Sequence, residues 1–155
     1  MRKLSLMLIF FSFLLVNCST IQKFNLMKDK NSSPAIITGD HIVKNLFDVN
    51  SFRIIAVDDK KLNYKMNGDL YSSKILLSEG KHKFLVKYEG SLNETVKFYE
   101  ISAYLYKGQS YKITGTLLDN GYDVKSWIEN VKLRKKITED IIFKPNKDIK
   151  LYLYL

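Results

Sequence analysis

One cysteine, two histidines and a few acidic pairs are the side chains of this 155-residue chain that could carry covalent, metal or acid-base chemistry. A single cysteine, Cys18, excludes an internal disulfide and any zinc site built on several thiolates, so its position must supply its meaning. His41 and His82 are too few for a histidine-rich metal centre, and each would need a carboxylate and a hydroxyl nearby to work as a base. His82 follows Gly80 at a strand start, where packing of the ring against a sheet edge accounts for it, and His41 follows Asp40 in a weakly patterned stretch. Asp58-Asp59 and Glu139-Asp140 could bind a cation or pair as acid and base, but both lie among lysines, where a turn and a solvated rim explain them better. There is no Gly-x-Ser-x-Gly elbow, no phosphate-cradling glycine loop and no His-Glu-x-x-His. The sequence therefore predicts no catalytic residue, no metal and no cofactor.

Two features suit binding instead. Ten tyrosines offer amphipathic surface, although strand propensity explains them as well. Lys132, Arg134, Lys135 and Lys136 gather four positive charges around Leu133. Such a run is either an edge strand guarded by lysines against aggregation or a patch for an anionic partner: lipid head groups, cell-wall polymer or an acidic protein. The formal charge of +9 is otherwise spread along the chain as single lysines, so nucleic acid is not an expected partner. Hydrophobic residues at 46% and charged residues at 26% are ordinary for a folded chain of one domain.

The N-terminus explains the cysteine. Arg2 and Lys3 precede an apolar run from Leu4 to Val16, broken by Ser5 and Ser12, and then Asn17-Cys18-Ser19. Basic start, apolar run and small polar close are the order of an export signal. The run falls short of the roughly 20 apolar residues of a permanent spanning helix, so a cleaved leader fits better than an uncleaved anchor or an ordinary secretory signal, the two remaining readings. Leu15-Val16-Asn17-Cys18 resembles the lipobox of bacterial lipoproteins, with Asn17 where Gly, Ala or Ser is usual. The resemblance implies cleavage between Asn17 and Cys18, S-diacylglycerol on the thiol and N-acylation of the new amino group. Ser19 after that cysteine resembles the outer-membrane-sorted pattern of enteric bacteria.

Positioning these groups falls to the elements that follow. Residues 18–34 are polar, rich in Lys, Asn and Ser, and read as the lipidated N-terminus and a flexible tether. From residue 35 to 155, short apolar stretches rich in Ile, Val, Phe and Tyr are separated by Gly, Asn and Asp, which are the marks of strands and turns. Lys81 to Tyr88 puts His82, Phe84, Val86 and Tyr88 on one face and Lys81, Lys83 and Lys87 on the other, with Leu85 the exception. Tyr111 to Leu118 puts Tyr111, Ile113, Gly115 and Leu117 on one face, and Asp119-Asn120-Gly121 is a hairpin turn signal. Val131, Leu133, Ile137, Ile141 and Phe143 suit a strand pair more than a helix, with a short helix in 131–144 left open. Pro145-Asn146-Lys147-Asp148 turns the chain before Ile149, Leu151, Leu153 and Leu155. The expectation is all-β, a small antiparallel β-sandwich of about seven to eight strands.

Val57-Asp58-Asp59-Lys60, followed by Leu77-Ser78-Glu79-Gly80-Lys81-His82 and a strand ending in Tyr88, resembles a pattern of PEGA-type surface domains and small envelope lipoproteins. Lys107-Gly108-Gln109-Ser110-Tyr111 and Trp127 match the continuation seen in the latter, whereas Asp59 replaces the usual glycine. What the resemblance implies is a non-enzymatic β-sandwich in the cell envelope, held by membrane lipid through Cys18 and available to an envelope protein or an anionic surface, with the outer membrane as its place in a Gram-negative cell. A surface-exposed, adhesin-like binder is the alternative, and a small envelope hydrolase built on His82 or His41 the third reading.

Overall fold

A computed structural model describes residues 20–29, 31–45, 48–64, 68–90, 95–118 and 123–144. The leader, Asn17, Cys18, the Asp119–Gly121 turn signal and the segment 145–155 lie outside these residues. Among the described residues the chain forms twelve strands in two sheets, an all-β sandwich as expected.

The first sheet runs β1 (Thr20–Asn25), β6 (Gly68–Leu77), β2 (Ala35–Thr38), β9 (Ser110–Leu117) and β10 (Val124–Asn130). Beyond β10 lie β11 (Lys135–Lys136) and β12 (Ile141–Phe143), both paired with it. The second sheet runs β3 (Asp40–Asn45), β4 (Asp48–Val57), β7 (Gly80–Gly90) and β8 (Thr95–Leu105), with β5 (Lys60–Lys61) on β4. The second sheet is antiparallel throughout. The first is mixed, since β1 pairs with β6 and β2 with β9 in parallel.

Three particulars differ from the sequence reading. Twelve strands replace seven or eight, because β1 falls in the expected tether and the two-residue strands β5 and β11 carry no apolar signal. Thr20–Asn25, expected in the tether, is a strand: Phe24 packs edge-on against Tyr64 with ring centroids 4.9 Å apart, and Leu26 donates to the Leu76 carbonyl. The segment 131–144 forms a turn and two short strands, with no helix.

Alternation builds the core. Phe52, Ile54, Phe84, Val86 and Tyr88 from the second sheet face Ile37, Ile75, Leu77, Tyr111, Ile113 and Ile128 from the first, all buried. Each such side chain contributes about 1.5–3 kcal/mol relative to an exposed one. An irregularity between Ile54 and Ala56 adds one residue to β4 and returns Val57 to the inner face. Gly115 is demanded by the packing, since a Cβ there would stand 2.5 Å from the Phe52 ring. Buried hydroxyls are paired: Tyr88 donates to Asn50, and Tyr99 lies 2.6 Å from Ser126 Oγ, which donates to the Thr114 carbonyl. Burial pushes the Tyr99 phenol pKa up, with the Ser126 bond opposing.

Candidate functional site

The basic run forms a hairpin tip. Asn130 pairs with Lys135 across the four-residue loop 131–134, and Arg134 takes a left-handed φ of 51°. Asn130 is buried and holds the loop from inside: its Oδ1 accepts from the Leu133 N–H at 3.0 Å, and its Nδ2 donates to Gln109. Val131 donates to the Ser110 carbonyl and Ile137 to the Ile128 carbonyl, which fixes both ends of the tip. The side chains point outward. Val131 is 46% exposed and Leu133 67%, beside exposed Lys132, Arg134 and Lys135. Among the described residues, no carboxylate pairs with these three cations.

Lys136 does not share their situation. Its ammonium stands 4.0 Å over the Trp127 ring and 2.7 Å from Asp140, a carboxylate that also approaches Lys125 at 3.6 Å. The bond from Lys136 lowers the Asp140 pKa, opposed by burial and helped by the charges of both lysines. Of the four residues expected in the patch, the structure brings three together at the tip and commits the fourth to the sheet beside it.

A second cationic region lies on the outer face of the second sheet, in an open groove of about 840 Å³. Its floor is Ile55, Ala56, Leu62, Leu85 and Phe98, and its rim includes Arg53, Lys83 and Lys87. These three cations are already matched, whereas Lys61 on the same groove has no carboxylate partner among the described residues. Lys83 meets Asp59 at 2.8 Å and Glu100 at 3.5 Å, Lys87 meets Glu89 at 2.5 Å, and Arg53 meets Glu89 at 3.6 Å while lying over the Tyr64 ring. Tyr64 donates to the Ile54 carbonyl, and burial, opposed by Arg53, pushes its pKa up to about 12. Sequence reasoning missed this groove, and its one sequence signal was Leu85 among the outward lysines of β7.

The histidines have structural partners. His82 is 11% exposed; its Nδ1 lies 2.7 Å from Asp58, and its Nε2 lies 2.8 Å from the Ser78 carbonyl oxygen, so both ring nitrogens face acceptors. Neither of these partners is a hydroxyl. His41 Nδ1 lies 2.8 Å from Ser51 Oγ, and Ser51 is closed to solvent at 3% exposure. Asp58 and Asp59 both take positive φ, 48° and 65°, between paired Val57 and Lys60, which makes a two-residue type I′ turn. Asp58 also accepts from the Lys83 N–H at 2.9 Å. Burial opposes its charge, but the bonds from Lys83 and His82 outweigh that and hold its pKa below the ordinary carboxylate range. The acidic pair thus works as a turn that ties β4 to β7. Among the described residues, no three His, Cys, Asp or Glu side chains converge as metal ligands would.

No protein-family model, curated protein or solved structure matches the chain.

Proposed function

We propose that this chain is a bacterial lipoprotein, anchored through acylated Cys18, whose non-enzymatic β-sandwich touches an anionic envelope surface with the 131–135 tip. The observation that carries the contact is the tip itself: three exposed cations with no described carboxylate partner flank Val131 and Leu133 on a loop held from within by Asn130. Apolar side chains that enter the boundary of a lipid layer and lysines that meet its anionic head groups add to one another. The anchor rests on the lipobox-like residues, and two or three acyl chains at about 0.8 kcal/mol per buried methylene hold a protein without a spanning helix. The engaged rings of His82 and the buried hydroxyl of Ser51 favour binding over hydrolysis. In a Gram-negative cell the outer membrane is the proposed location.

Intact mass of the chain from a Gram-negative host, with and without globomycin and beside Cys18→Ala, tests the anchor. The expected result is a mature chain beginning at Cys18 with added acyl mass, and precursor that accumulates under the inhibitor. A chain cut elsewhere, or without acyl mass, overturns it.

A further inference from the structure

The sandwich manages most of its edges. β11 is two lysines, β12 is three residues long, and the pairings of β3 and β1 are each interrupted by a register shift. β8 is different. Among the described residues it is the outermost strand of the second sheet, eleven residues long, paired with β7 without a single shift and free of proline. Its outer face shows Phe98 at 44% and Tyr104 at 50% exposure, and the Tyr106 ring just beyond it packs against Tyr104 at a tilt of 55°, with centroids 4.9 Å apart. A cleft of about 480 Å³ lies beside this strand, lined by Glu100, Ser102 and Tyr104 from one face, by Ile101 and Ala103 from the other, by Lys81 of β7 and by the 137–141 segment.

We infer that β8 is a docking edge for β8 of a second copy of this chain, paired antiparallel about a two-fold axis at Ile101. The occupant follows from self-complementarity. With the axis at Ile101, Phe98 stands opposite the second copy's Tyr104, Glu100 opposite Ser102, Tyr99 opposite Ala103 and Lys97 opposite Leu105, so aromatic pairs form twice and no like charges meet. Moving the axis to Glu100 sets two carboxylates face to face. Moving it to Ser102 leaves Lys97 without an opposite residue in β8 and shortens the ladder. The side-chain period of two forbids the registers between, since they would place inner residues opposite outer ones.

Disulfide trapping in the full chain, in membranes of the expressing cell, tests this. Under oxidation, E100C/S102C should run at twice the chain mass, because Glu100 and Ser102 oppose each other, whereas K97C, far from its own counterpart, should stay monomeric. Adding F98K/Y104K to the trapping pair should abolish the dimer band by opposing lysines, and F98K/Y104E in its place should restore it; circular dichroism of each variant shows whether the sheet is retained. No dimer band from folded E100C/S102C overturns the inference, as does equal trapping through K97C or indifference to F98K/Y104K. A band that forms only after removal of residues 145–155 also overturns it, and shows that the chain's own C-terminal segment covers the edge.

Discussion

The outer face of the second sheet and the β10–β11 tip are both rich in cations, yet they are physically opposite. On the sheet, Arg53, Lys83 and Lys87 each have a carboxylate within 4 Å, supplied by Asp59 in the β4–β5 turn, Glu89 on β7 and Glu100 on β8. At the tip, Lys132, Arg134 and Lys135 have none among the described residues, and the loop that carries them exposes Val131 and Leu133 instead of covering them. A paired cation must lose its partner before it can serve a ligand, whereas an unpaired one only loses water. Pairing, more than the number of basic residues, separates a surface built for stability from one free for contact.

The largest effect should come from the tip. In a chain starting at Ser19, which retains every described strand, K132Q/R134Q/K135Q should weaken binding to phosphatidylserine-containing vesicles about 100-fold, at about 1 kcal/mol for each cation near an anionic surface. Its unfolding midpoint should hardly move, because no partner is lost. Co-sedimentation and urea unfolding measure the two quantities, and a variant that binds as before would remove the tip from the contact. Arg53→Ala should do the reverse. It leaves half-buried Glu89 without its Arg53 partner and strips the Tyr64 ring of its cation, so about 1–3 kcal/mol of stability should be lost with vesicle binding unchanged. Equal loss of binding in both variants would erase the distinction between the regions.

How far this contrast was legible in the sequence depends on the range of the contacts. Lys81 to Tyr88 shows its inner and outer faces by alternation alone, and β7 buries Phe84, Val86 and Tyr88 as that pattern requires. The turn at Asp58-Asp59 is equally local, since both residues belong to the types that tolerate left-handed backbone. Strand β1 is not, because its polar residues acquire a strand's role only through parallel pairing with β6, some fifty positions away. The same holds for the cations. Nothing near Lys83 in sequence reveals Asp59 or Glu100, and nothing in the basic run singles out Lys136 until Trp127 and Asp140 are folded against it.

Lys136 therefore offers a finer cut through the run. Lys136→Gln should cost about 0.5–1 kcal/mol by removing the cation from the Trp127 face, with a shift in tryptophan emission, and should lower vesicle binding far less than any one of the three tip substitutions. If all four residues weaken binding alike, the run acts as a diffuse positive charge and the geometry of the tip does not matter.

The smallest effect separates the paired region by pH. Asp58 has a folded pKa held below its ordinary value of 3.8 by the Lys83 N–H and His82, so its contribution to stability is present above the unfolded pKa and is lost as pH falls through the folded one. Urea midpoints of the wild type and Asp58→Asn should thus differ near neutrality and converge in acid, below 3.8. The carboxylate is 47% exposed, so solvent screening keeps the difference modest. The tip variant K132Q/R134Q/K135Q should run parallel to the wild type through the same acid range, since no described carboxylate there owes its charge to those cations. A convergence in acid for the tip variant as well would mean that its cations have carboxylate partners after all, and the division between paired and unpaired surfaces would fall.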